Sequence, residues 1–243
     1  MRRVHHAAGG ATGERITLGA EESAHLCRVL RLAAGARIAV FDGAGREWEG
    51  VLEVPDPESA MVSLGVEIGE PVEPALPVTI VQGLCRPERL EWVLQKGTEI
   101  GVSRFVLFRG ARSEGPHPSP SRLSRWEKIL VEACKQSGRR VVPPLEGPLP
   151  APVPVPAGAL GLLLDPSGSP LASFLDDAPG EAVAVAVGPE GGFETDEMRE
   201  WASNGWRAAG LGPRVLRTET AGVVAASIVL HRFGDLGRVP CGG

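Results

Sequence analysis

Ala182-Val-Ala-Val-Ala-Val-Gly-Pro-Glu-Gly-Gly-Phe-Glu-Thr-Asp-Glu197 is the stretch whose reading decides the fold. Ala182–Val187 is a short apolar run with alternating β-branched residues, so it reads as a buried strand. Gly188, Pro189, Gly191 and Gly192 stop it and build a tight turn. Thr195 is placed to cap a helix, and Asp196 and Glu197 put negative charge where a helix N-terminus favours it. The same grammar repeats around Leu211-Gly-Pro-Arg-Val-Leu-Arg-Thr-Glu-Thr-Ala-Gly222. Trp206–Leu211 reads as a strand and Gly212-Pro213 breaks it. Thr218 or Thr220 then caps a long apolar helix to about Phe233.

Strand, glycine turn and helix in succession suggest a cofactor loop, although an ordinary strand-to-helix joint fits the same pattern. The glycines have neither dinucleotide-fold nor P-loop spacing. Pro189 lacks the N–H that a phosphate cradle would use. Glu190, Glu194, Asp196 and Glu197 would repel a polyphosphate. A ligand carrying positive charge and an adenine suits the loop better.

Outward from this stretch, the chain has 243 residues, enough for one or two domains. Its four cysteines, Cys27, Cys85, Cys134 and Cys241, form no Cys-x-x-Cys pair and have no metal spacing with the five histidines. Free thiols in a reducing cytoplasm are expected. No signal peptide, membrane span or metal site is expected. The net charge is −5. It is unevenly spread: residues 1–73 hold 7 basic and 12 acidic groups, 74–150 hold 12 and 7, and 151–243 hold 6 and 11. A basic middle segment in an acidic chain is a candidate RNA footprint, and a solvated helical surface is the alternative.

Residues 1–70 read as a small β-rich domain. Strands are expected at Ile16–Leu18, Arg37–Phe41, Glu47–Val54 and Ala60–Ile68, with a hairpin turn at Asp42–Gly45 and a helix over Ala20–Leu32. Glu70-Pro-Val-Glu-Pro-Ala-Leu-Pro77 is a proline-rich linker, which sets the boundaries at 1–70, a linker at 71–77, and 78–243. After it, strands and helices alternate: Val78–Val81, Glu88–Ile100, Phe105–Phe108, Arg122–Ser137, Val141-Val142 and Leu160–Leu164, then the two motif units. That alternation argues for an α/β fold with a helix-covered parallel sheet. Pro143–Pro156 reads as a stiff, extended connector.

Gly188-Pro-Glu-Gly-Gly192 and Leu211-Gly-Pro-Arg-Val-Leu-Arg-Thr-Glu-Thr-Ala221 resemble the C-terminal signature of the ribosomal RNA small subunit methyltransferase E family. That family methylates N3 of one uridine in 16S ribosomal RNA with S-adenosylmethionine, and belongs to the SPOUT trefoil-knot superfamily. Gln95–Val102 and Glu132–Arg139 resemble further family strings. Ala24–Arg31 resembles the helix of its N-terminal PUA-like β-barrel. The resemblance thus implies a SPOUT trefoil-knot parallel-sheet domain behind a PUA-like domain. The knot is implied by the resemblance alone, because periodicity carries no such information.

The resemblance implies a cofactor site of Leu164, Gly188, Pro189, Glu190, Gly191, Gly192, Leu211, Gly212, Leu216 and Thr218. Gly191 and Gly192 would allow close backbone approach. Leu164, Leu211 and Leu216 would sandwich the adenine, with plain core packing as the other reading of each. Methylating N3 requires loss of the imide proton, which leaves negative charge on the base. Arg217 is the first candidate to stabilise it and Arg214 the second. Glu219 either takes the proton or pairs with Arg217. RNA would be held by Arg2, Arg3, Arg28 and Arg31 and by Arg109, Arg112, Arg122, Arg125, Arg139 and Arg140. One uridine must leave its stack. A homodimer is also implied, and the small-residue stripe Gly222, Ala225, Ala226 and Val229 would suit it unless it packs on its own sheet. The substrate would be small-subunit ribosomal RNA, within an assembled subunit. A non-catalytic RNA-binding assembly factor of the same fold is the alternative, and it would have no need of intact cofactor loops.

Overall fold

The computed structural model describes residues 1–69, 72–114, 116–176 and 180–237. Glu70 and Pro71 of the expected linker, and Cys241, lie outside the described residues. The chain divides into two compact units, one of Met1–Glu73 with Val131–Val142, the other of Pro74–Leu130 with Pro143–Gly243.

In the first unit, β1 (Arg2–His5), β2 (Arg15–Thr17), β3 (Arg37–Phe41), β4 (Glu47–Val54) and β5 (Met61–Glu67) form one sheet in the order β1-β3-β4-β5-β2. β1 runs parallel to β3, and the other pairs are antiparallel. Asp42 Oδ1 fixes the β3–β4 turn by accepting from the backbone N–H of Ala44 and of Arg46. Leu26, Ile38, Val40, Trp48, Leu52 and Val62 fill the core. The helix expected over Ala20–Leu32 is shorter and changes pitch. α1 covers Ala20–Ala24, and His25–Val29 follows as a wider π turn. Arg31 then takes a left-handed conformation, φ 53°, which ends the helix. β1 escapes the sequence reading because Arg2, Arg3 and His5 break any apolar alternation.

Buried charges organise this unit. Glu47 Oε1 lies 2.7 Å from Arg3 Nε, and its Oε2 lies 2.9 Å from Arg140 Nε. Arg139 pairs with Glu73 at 2.7 Å. Only 3% of Arg139 and 7% of Arg140 is exposed. The expectation that Arg139 and Arg140 grip RNA is therefore corrected, since their guanidinium groups face carboxylates inside the protein. Arg3 is corrected for the same reason. Val141 makes only isolated bridges to Gly43 and Ala44, so the expected Val141-Val142 strand does not form.

The second unit contains β6 (Val78–Gly83), α2 (Pro87–Ile100), β7 (Arg104–Arg109), α3 (Pro120–Ser137, its residues from Val131 counted with the first unit), β8 (Leu145–Pro150), β9 (Ala159–Pro170), β10 (Ala182–Val187), α4 (Thr195–Ser203), β11 (Arg207–Gly210) and α5 (Thr218–Phe233). The six strands are all parallel, in the order β11-β9-β10-β6-β7-β8. β6 and β10 lie in the middle and are covered on both faces, which is why β10 reads as an unbroken apolar run and β6 as a mostly apolar one. On one face Ala184 and Ala186 meet Phe108, Phe193, Trp201 and Trp206. On the other, α2 and α5 lie together. A Cβ on Gly222 would stand 3.1 Å from Val187 Cγ2, so the stripe of Gly222, Ala225, Ala226 and Val229 is spent on the chain's own sheet. Leu145–Pro150, expected as connector, is an edge strand beside β7. Proline is tolerated there because an edge leaves N–H positions without a partner strand.

Candidate functional site

The glycine turn and the Leu211–Thr218 loop meet at the carboxyl ends of β9, β10 and β11. Open parallel sheets characteristically bind ligands at those ends. Three contacts set the turn. Gly192 N–H donates to the Pro189 carbonyl at 2.9 Å, and Gly192 takes φ 69°, a conformation cheap only for glycine. A Cβ on Gly83, at the end of β6, would lie 2.6 Å from Pro189 N, so β6 presses directly on the turn. Arg112 Nη1 donates to the Gly191 carbonyl at 2.8 Å.

Thr218 joins the two motifs. Its buried hydroxyl donates to the Gly188 carbonyl and accepts from Gln82 Nε2 at 2.9 Å. Thr218 is the first residue of α5 but caps nothing; Arg217 occupies the N-cap position. Likewise Glu194, not Thr195, caps α4. Glu194 and Glu197 form a reciprocal capping box, and Glu197 Oε1 also accepts from Ala111 N–H at 3.1 Å. Two of the acidic groups beside the turn are thereby structural.

Between these loops lies a cavity of about 430 Å³. All ten residues named as cofactor ligands line it, and so do Arg214 and Arg217. Leu164, Leu211 and Leu216 are half-buried and face this space, which favours the pocket reading over core packing. Arg214 and Arg217 are exposed at its rim. Glu219 does not pair with Arg217, as one reading expected. Its Oε2 lies 3.8 Å from Arg89 Nη1, and that buried oxygen has no hydrogen-bond partner. Arg89 also lies 3.5 Å from Glu190, whose Oε1 accepts from Arg86 N–H. Burial pushes the neighbouring Cys85 thiol up to about 12, with Glu190 and Glu219 adding to the shift and Arg89 opposing it.

Sequence reasoning missed Arg89, Gln82 and Val215. Gln82 carried a faint signal, as a lone amide at the end of the apolar run Val78–Val81. Arg89 carried none, since it occupies the polar side of an amphipathic helix. Among the RNA candidates, Arg2, Arg28, Arg31, Arg112 and Arg122 are exposed, Arg125 is exposed and paired with Glu91, and Arg109 is half-buried. Among the described residues no group of three or more His, Cys, Asp or Glu side chains could hold a metal, and no helix is long and apolar enough to cross a membrane.

An RNA methyltransferase domain family matches residues 72–230, and an RNA methyltransferase PUA domain family matches residues 18–64. The chain is 32% identical over 234 residues to ribosomal RNA small subunit methyltransferase E of Mycobacterium bovis, covering 90% of this chain and 87% of that one. It is 28% identical over 225 residues to the Bacillus subtilis protein of that name, covering 87% and 88%. The crystal structure of the Neisseria gonorrhoeae methyltransferase E bound to S-adenosyl methionine superposes with a TM-score of 0.89, at 29% identity, covering 97% of this chain and 99% of that one. A Legionella pneumophila structure in complex with the same cofactor gives 0.88, at 28% identity, covering 96% and 98%. Fold and site define a SPOUT-type, S-adenosylmethionine-dependent RNA methyltransferase with a PUA-like domain. Within that class, the chain belongs to the ribosomal RNA small subunit methyltransferase E family.

Proposed function

We propose that this protein methylates N3 of one uridine in 16S ribosomal RNA, on an assembled small subunit, as a cytoplasmic homodimer. The observation that carries the reading is the Thr218–Gly188 bond, which closes both motif loops around one cavity rimmed by Arg214 and Arg217. The residues suit S-adenosylmethionine: half-buried leucines for an adenine, glycine backbone for close approach, and carboxylates near a sulfonium. The cofactor, when bound, supplies the electrophilic methyl group.

The chain's own residues do the rest. Leu164, Leu211 and Leu216 hold the adenine, and the backbone of Gly188–Gly192 and Gly212 shapes the space around it. Arg217, with its backbone fixed at the start of α5 and its side chain in solvent, reaches the uridine and stabilises the charge left on its carbonyl oxygens. Arg214 supports it from the rim. Glu219 lies outside the cavity lining, 3.8 Å from Arg89, so the imide proton leaves to solvent. Arg2, Arg28, Arg31, Arg112, Arg122 and Arg125 supply phosphate contacts. The homodimer finds support in Trp92 on α2 and Ile228 on α5, each 40% exposed, and in Val215, 82% exposed at the cavity rim. The test is nucleoside mass spectrometry of ribosomal RNA from a deletion strain. Loss of 3-methyluridine from the small subunit, restored by the gene, is expected; an unchanged 3-methyluridine level overturns the reading.

A further inference from the structure

One end of the cavity differs from the rest. Arg89 reaches it from α2, and Glu190 stands beside it in the glycine turn. Glu219, from α5, approaches the same guanidinium. The ion-pair distances, 3.5 Å to Glu190 and 3.8 Å to Glu219, are longer than hydrogen bonds. Arg89 therefore enters the cavity with forked donors that neither carboxylate fully engages. Glu219 Oε2 is left buried without a donor, a costly state unless something draws the cluster together. The other charges of the lining are Asp165 on β9 and Arg214 and Arg217 on the Leu211–Thr218 loop.

A guanidinium beside a carboxylate at the end of a mostly apolar pocket is complementary to an α-amino acid. We propose that Arg89 binds the α-carboxylate of the cofactor's methionine moiety through its forked N–H groups, with Glu190 taking the ammonium. Glu219 holds Arg89 from behind, as a positioning residue. The inference rests on the reading that this cavity holds S-adenosylmethionine. It adds what discriminates a ligand with an amino-acid end from adenosyl thioethers that lack one.

Calorimetry with two probes tests this: S-adenosylmethionine, and 5′-methylthioadenosine, which lacks the amino-acid end. In Arg89→Ala, affinity for S-adenosylmethionine should fall about 10- to 100-fold, the loss typical of a charge-assisted pair. Affinity for 5′-methylthioadenosine should stay within about twofold. Arg89→Lys keeps the charge without the fork and should fall between wild type and alanine. It also serves as the second variant if the alanine protein misfolds. An equal loss for both probes would reduce Arg89 to a structural residue, and no loss for either would remove it from the site. Both outcomes overturn the proposal while leaving the cofactor reading standing. A wild-type protein that binds neither probe would defeat the parent reading instead.

Discussion

The hydroxyl of Thr218 donates to the carbonyl oxygen of Gly188 across 2.6 Å, so the first residue of α5 is tied to the residue that follows β10. Gln82, at the end of β6, donates to the same hydroxyl. A single buried oxygen thus holds three strand and helix ends together under the cavity. Thr218→Val keeps the shape and deletes that oxygen, stranding a carbonyl and an amide N–H. A stability loss of about 1–3 kcal/mol in urea unfolding is expected, with weaker cofactor binding by calorimetry. Thr218→Ser should restore most of both. Normal affinity in the valine protein would mean that this bond does not shape the site.

Gly83 gives a steric test of the same region. Its missing Cβ would lie 2.6 Å from Pro189 N and 2.8 Å from Pro189 Cδ. Gly83→Ala must therefore displace the glycine turn. At Gly191 an added Cβ would instead meet the Arg112 side chain, at 3.0 Å from its Cβ. Cofactor affinity should fall at least tenfold in Gly83→Ala, at about one factor of ten per 1.4 kcal/mol, and less in Gly191→Ala. Equal affinities in the two variants would contradict the close approach of β6 to the turn.

Arg139 and Arg140 should matter to stability and not to the RNA footprint. Removing one partner of a buried ion pair typically costs ~3–5 kcal/mol, so Arg140→Ala should lower the unfolding midpoint sharply. A footprint of about six phosphates on a single strand gives a log–log salt slope near −4. That slope should be unchanged in Arg140→Ala protein kept below its unfolding temperature. It should flatten by roughly one unit for each of Arg28→Ala and Arg122→Ala. A flatter slope in Arg140→Ala would return that residue to the RNA surface.

Alkaline pH should destabilise the protein through its thiols. Burial raises Cys85 from 9.0 to about 12 and Cys134 from 9.0 to about 11. A thiol whose folded pKa exceeds its unfolded value keeps its proton on folding. Unfolding then releases protons between pH 9 and about 11–12, and stability falls as pH rises through that window, with no effect below it. The chain has no tyrosine and 3 lysines, but Cys27, raised by burial, and Lys135, raised by Glu132 and Glu22 against the effect of burial, add to the loss. Urea unfolding at pH 8 and pH 10.5 should show a drop that Cys85→Ala with Cys134→Ala reduces. An identical drop in the double variant would assign it to other groups.

The sequence revealed the parallel sheet because β6 and β10 are buried on both faces, so that β10 is apolar throughout and only Thr79 and Gln82 interrupt β6. Glycine and proline marked the strand ends around the cavity, while the residues of the cofactor site followed from the family resemblance. It misjudged wherever the deciding partner lies far along the chain. Glu47 claims Arg3 and Arg140 over separations of 44 and 93 residues, and composition cannot distinguish such arginines from ones that face RNA. Glu194 captured the cap from Thr195 because Glu197 answers it, a reciprocity that depends on three-dimensional geometry. Proline content disguised β8, since the rule against proline in strands relaxes at an edge.

Methyl transfer in vitro tests the central claim most directly. Small ribosomal subunits lacking 3-methyluridine are mixed with purified protein and saturating S-adenosylmethionine, then digested to nucleosides and resolved by mass spectrometry over a single turnover. The account predicts that 3-methyluridine appears in the small-subunit RNA, and that Arg217→Ala, with cofactor affinity and melting temperature intact, forms it about 100–1000-fold more slowly. Transfer to another nucleoside, or no transfer to subunits or free ribosomal RNA, would contradict the claim, and an Arg217→Ala rate within about threefold of wild type would leave that arginine outside the chemistry.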